Sequence, residues 1–228
     1  MYVKSKRRKN GWGGARPGAG RKKRYPRIHV DHVARPRFTE LAAFHVTLRL
    51  RKGLPTLRAH ETVRTIKALF AAAVDQGRLA PAVWSLQRNH IHMLVEAGTT
   101  AELSKGMHSL DLRIAKALNR LWGRKGPVFE ERYFARPIEG PRDLRNTLRY
   151  VLLNHKRHGC RQSTVDWASS GPWFEFWAER GIVPPPGPRP VAAYRTDLLR
   201  EGMSSGLAYI SVAEQPRGRP SAASFLEA

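Results

Sequence analysis

Two histidines one residue apart, His90 and His92, stand in the apolar stretch NHIHMLVEA (Asn89 to Ala97). Successive side chains of a strand alternate faces. His90, His92, Leu94 and Glu96 would therefore share one face, and Ile91, Met93 and Val95 the other. The first two imidazoles start roughly 7 Å apart along the backbone and can converge on one ion. Glu96 is about 13 Å further along, too far to join them. The same pair also reads as two ordinary surface histidines on a half-exposed sheet face. Two histidines do not complete a metal site, so a third ligand must come from elsewhere. The stretch LRYVLLNHKRHG offers one. Tyr150 and Asn154 are four apart, on one face of a helix. If that face packs toward the histidine strand, Asn154 supplies an oxygen ligand and Tyr150 places its phenol beside the metal. Tyr150 reads equally as a core tyrosine.

These side chains need a scaffold to position them. FHVTLRL (Phe44 to Leu50) alternates and is β-branched or aromatic at several positions, which predicts a strand. After Pro55, Val63, Ile66, Leu69, Phe70 and Val74 recur at helical spacing, with Gly77 as a stop. PAVWSLQ (Pro81 to Gln87) and HIHMLVEA (His90 to Ala97) are two further strands, separated by Arg88 and Asn89 as in a tight hairpin. A long helix follows, with Thr100 as N-cap and Gly123 as stop. VFEERYFARPI (Val128 to Ile138) predicts a fourth strand. A last helix starts at Pro141 and ends in Lys, Arg and His before Gly159. The order β-α-β-β-α-β-α describes an α+β, ferredoxin-like split fold with an antiparallel sheet and helices on one face.

The 228-residue chain suffices for one domain with a core, plus extensions, and its net charge is +23. Such charge attracts polyanions, with nucleic acid the first candidate. The longest uninterrupted apolar run, Ala68 to Val74, falls far short of the roughly 20 residues a membrane span needs. The basic N-terminus lacks the apolar core of a secretory signal. The single cysteine, Cys160, excludes an internal disulfide framework and a multi-cysteine zinc site. A cytoplasmic, nucleoid-associated protein that binds DNA and no membrane fits these features.

Residues 1–37 form a basic arm with thirteen Lys or Arg and one acid, Asp31, a net of +12. Its Gly/Arg-rich composition predicts disorder, and Arg16, Arg21, Lys22, Lys23 and Arg24 are candidate DNA contacts. Residues 38–181 would be the folded domain. Residues 182–228 would add a Pro-rich linker (PPPGPRP), a short helix and a polar tail. The tail's PRGRP (Pro216 to Pro220) is a short match to a minor-groove hook.

NHIHMLVEA, VFEERYFARPI and LRYVLLNHKRHG, with SSGPWFEFW near the end, resemble the REP-associated tyrosine transposases. These are relatives of the single-strand transposases that carry one tyrosine and an HUH motif (His, bulky apolar residue, His). The resemblance spans about Phe44 to Gly181. It implies that His90, His92 and Asn154 hold a divalent cation, Mg²⁺ or Mn²⁺, and that Tyr150 is the nucleophile. It further implies cleavage and joining of single-stranded or hairpin DNA, including palindromic repeats, through a 5′-phosphotyrosine, by a monomer or homodimer. Two imidazoles and an amide oxygen suit Mn²⁺ better than Mg²⁺.

Tyr133 is a rival nucleophile, on a predicted strand with no amide at helical spacing. Lys105, Arg113, Lys116, Arg132, Arg136 and Arg149 are candidates for DNA backbone contacts, and each reads equally as a solvated charge. Two other functions fit the same residues: a non-catalytic nucleic-acid-binding module on this fold, and a metal-dependent nuclease that uses water. RNA binders of this fold stack bases on sheet aromatics. The histidines on the expected open face favour catalysis.

Overall fold

Alternation along β1 (Ala42–Arg49) and β3 (His90–Ala97) sends Phe44, Val46, Leu48, Ile91, Met93 and Val95 to one side of a sheet. In the computed structural model, which describes residues 37–158, 164–204 and 209–216, that side is covered by α1 (His60–Asp75) and α2 (Thr100–Leu121). The helices contribute Val63, Ile66 and Phe70 from α1, and Leu103, Met107, Leu110, Ile114 and Leu118 from α2. Each such side chain, fully buried, stabilises by roughly 1.5–3 kcal/mol.

β2 (Val83–Leu86) and β4 (Phe134–Pro137) complete four antiparallel strands in the order β2-β3-β1-β4. This is the arrangement expected of a split β-α-β-β-α-β fold. The outer edge of β2 is not left open: Leu86 N donates to Ala168 O and Ser170 N to Trp84 O, each at 2.8 Å.

Three local expectations need correction. Thr99, not Thr100, caps α2, its hydroxyl accepting from Glu102 N at 3.0 Å. Thr100 instead accepts from Phe38 N. The fourth strand is confined to Phe134–Pro137, with a lone bridge from Leu50 to Phe129 and a backbone bond from Glu130 N to Arg49 O; the exposed Glu131 and Arg132 separate these paired stretches. The last helix, α3 (Pro141–Leu152), stops short of His158; after Leu153 the chain tightens into a 3-10 segment, Asn154–His158.

Helices do not lie on one face only. α3 covers the other side of the sheet, setting Leu144, Leu148, Val151 and Leu152 in a core with Ala43, Val83 and Leu94. Described residues after Gly181 close around that core, with Leu199 of α4 (Asp197–Ser204), Ile210 and Val212 buried in it. The indole of Trp84 donates to Pro190 O at 2.8 Å. Among the described residues no helix is long and apolar enough to cross a membrane. The arm through Pro36, with Arg16, Arg21, Lys22, Lys23 and Arg24, and most of PRGRP lie outside the described residues.

Candidate active site

The sheet face under α3 presents a row of polar side chains. Register sets Thr47 of β1 and Ser85 of β2 on either side of His92, Arg49 beside His90, and His45 beside Leu94. The His90 and His92 rings stand 4.6 Å apart, nearly perpendicular. His92 is buried and His90 half-buried at the strand's first position. Glu96 serves elsewhere: its carboxylate accepts from the backbone N–H of Arg195 (2.8 Å) and Thr196 (2.6 Å), tying down the approach to α4.

α3 brings Tyr150 onto this row. Its ring meets His92 edge-on at 5.0 Å and His45 at 5.7 Å. The guanidinium of Arg157, an exposed residue, lies 5.7 Å from the same ring. Asn154 is buried where α3 has given way to the 3-10 segment, and its amide nitrogen has no hydrogen-bond partner among the described residues. A 180° turn of the amide exchanges nitrogen for oxygen at no steric cost. By donor type, two imidazoles and a buried, under-used amide suit a divalent cation. Among the described residues there is no group of three or more His, Cys, Asp or Glu that could hold a metal. This donor set, with its amide, is of another kind.

His45 escaped the sequence reading. Its Nε2 lies 3.2 Å from His92 Nδ1, and Thr47 Oγ1 is 3.2 Å from the same atom. Burial, reinforced by the charge of Arg136 and partly offset by Asp143, lowers the His45 pKa to about 4, so it is neutral at neutral pH. The alternation in FHVTLRL already puts His45, Thr47 and Arg49 on one strand face; nothing local says that this face adjoins the histidine strand.

The remaining candidates scatter. Tyr133 is buried in the core on the α1 and α2 side, across the sheet from the histidines. Lys105, Arg113 and Lys116 ride on α2, also on that far side. Arg132 is exposed just before β4. Arg136 is on the histidine side but is held by Asp143 (2.6 and 2.9 Å) and Thr147 (3.1 Å). Arg149 is buried on α3, bonded to Asn146 (2.9 Å) and Glu214 (3.3 Å).

A family model described as IS200-like transposase matches residues 39–154. No curated protein matches the chain. One solved structure that it resembles is a REP-associated tyrosine transposase bound to a REP hairpin. That likeness has 18% identity and a TM-score of 0.44, over 56% of this chain and 74% of the other.

Proposed function

The chain belongs to the IS200-like transposase family, and from that premise we propose that it cuts and rejoins one strand of DNA through a covalent bond to Tyr150. The observation that carries this reading is the Tyr150 ring, its centre 5.0 Å from that of His92 in an edge-to-face contact, with the His90 ring a further contact on His92.

In the proposed reaction Tyr150 Oη attacks the scissile phosphorus. The Oη–P bond forms and the P–O3′ bond breaks. The phenol's proton passes to solvent, and the departing oxygen takes one up to become a 3′-hydroxyl. The phosphate remains on Tyr150 as the 5′ end of the other fragment. Attack by a 3′-hydroxyl on this phosphotyrosine reverses the step and joins strands. A free phenol ionises near ~10, so it needs help at neutral pH. A divalent cation, Mg²⁺ or Mn²⁺, held by His90, His92 and Asn154 would supply it, by favouring phenolate and drawing charge from a phosphate oxygen. The chain's own groups do the rest. α3 and the sheet bury the flanks of the Tyr150 ring, fixing its angle of attack. Arg157 holds a guanidinium 5.7 Å from the Tyr150 ring centre, a cation close enough to the site to meet a phosphate there. Single-stranded or hairpin DNA is the substrate class, with palindromic repeats as candidate targets, and the cytoplasmic nucleoid is where such a basic protein would meet it.

The test is a denaturing quench of the full chain with labelled hairpin DNA and Mn²⁺, followed by protease digestion and mass spectrometry. The expected product is a Tyr150 peptide attached to the 5′ end of one fragment, the other fragment carrying a 3′-hydroxyl. Cleavage without an adduct would mean that water is the nucleophile. Tight binding without cleavage would mean a DNA-binding module. An adduct on another tyrosine would refute the assignment of Tyr150.

A further inference from the structure

In both histidines of the pair Nδ1 is engaged by a neighbouring side chain. His90 Nδ1 lies 2.9 Å from Asn89 Oδ1. His92 Nδ1 lies 3.2 Å from His45 Nε2 and 3.2 Å from Thr47 Oγ1. A carbonyl-type oxygen only accepts, so with the Asn89 amide oxygen in that place the His90 contact is made by Nδ1–H, which leaves the lone pair on Nε2. For His92 one of the two facing imidazole nitrogens must carry the proton. We infer that His92 Nδ1 carries it, that His45 Nε2 accepts it, and that Asn89, His45 and Thr47 are positioning residues that hold both histidines as Nε2 ligands. This inference rests on the metal reading above, in which the two rings must present a lone pair to the same ion.

The reason is physical. A neutral imidazole has one N–H and one lone pair, and its partner at one nitrogen decides which form exists and how the ring is turned. His92 is buried, and with the proton on Nδ1 both facing groups, His45 Nε2 and the Thr47 hydroxyl, can accept it while Nε2 keeps the lone pair that the metal reading requires. The arrangement also gives His45 a role. It is a buried polar residue on β1, two residues from Thr47, the register partner of His92, and its ring lies at a tilt 5.2 Å from that of His92. The support for the two histidines differs in origin. His90 is held by the residue just before it in the turn, Asn89, and His92 by side chains of the adjacent strand β1.

Two measurements on the full chain test this. In the metal-free protein, long-range ¹H–¹⁵N correlation of the imidazoles should show His90 and His92 with the proton on Nδ1, and His45 accepting at Nε2. A proton on Nε2 of His92 in the wild type overturns the inference without any variant. Mn²⁺ binding, followed by loss of the free-ion electron paramagnetic resonance signal, should weaken about tenfold or more in His45→Leu with Thr47→Val. His45→Gln, whose side-chain oxygen can accept near the place of Nε2, should recover most of that loss. Asn89 is exposed, so Asn89→Ala tests the His90 half with no threat to folding, and Asn89→Asp should retain the wild-type affinity. Thermal melts confirm that each variant is folded. Mn²⁺ affinity unchanged in both His45→Leu/Thr47→Val and Asn89→Ala overturns the inference. If wild type binds no Mn²⁺, and His92→Ala behaves identically, the metal reading fails instead, and the tautomers alone decide whether the positioning contacts exist.

Discussion

Tyr150 differs from Tyr133 in what surrounds it rather than in its own chemistry. One ring stands edge-on to two imidazoles and near a guanidinium, and the other is sealed in an apolar core. Tyr150→Phe keeps the ring packing and removes one oxygen, so it should fold within about 1 kcal/mol of wild type. It should bind Mn²⁺ and DNA normally and form no adduct, as gel shift and denaturing electrophoresis would show; adduct at the wild-type level would name the wrong nucleophile. His90→Ala or His92→Ala should abolish cleavage while DNA binding stays largely intact, because Lys and Arg supply most of the affinity. Asn154→Ala should be milder, since water can take one coordination position; cleavage time courses with increasing Mn²⁺ rank the three.

α3 is the element on which the site depends, and it is held from two sides. Its apolar face lies on Ala43, Val83 and Leu94, while Arg145 and Arg149 reach Glu214 at 2.9 and 3.3 Å. Burial alone would raise the Glu214 pKa. Ser211 N–H and the Arg145 and Arg149 guanidinium groups outweigh it and hold the carboxyl below its ordinary value of 4.5. A depressed carboxylate stabilises the fold above the unfolded value and loses that contribution as pH falls through the folded one. The melting temperature of wild type should therefore drop more steeply below pH 4.5 than that of Glu214→Gln. At neutral pH the variant should be less stable by about 1 kcal/mol. Parallel pH profiles would show that the clamp contributes nothing. Leu148→Ala, in the same core, should cost about 2–5 kcal/mol and loosen Tyr150 with it, read by chemical denaturation.

Across the whole molecule the charge is unevenly placed, with a net +12 of the total +23 in residues 1–37. Among the candidate DNA contacts in the described residues, Arg136 and Arg149 are committed to Asp143 and Glu214, and three more ride on the far helix α2. The arm is then expected to carry much of the phosphate contact. Deleting residues 1–37 should weaken binding and flatten its salt dependence, since log K falls by about 0.7 per phosphate on single strands and about 0.9 on duplex, per decade of salt. Fluorescence anisotropy at several salt concentrations measures the slope, and an unchanged slope would show the arm to be a bystander.

Much of this was legible in one dimension. Strand alternation and helical spacing are local, so the element order, the His90 and His92 face and the full span of β3 could be read directly. Capping and strand ends were read less well, because Thr99 and Thr100 are both good caps and because a charged run inside an apolar one does not announce where pairing stops. Three things needed the fold. That α3 lies across the face opposite α1 and α2 follows from which apolar surfaces remain to be covered once the sheet has formed. That Tyr133 is sealed away and Tyr150 meets the histidines follows from those opposite faces. That His45 and Thr47 touch His92 follows from β1–β3 register, a pairing between residues 45 and 47 positions apart, which no local spacing encodes.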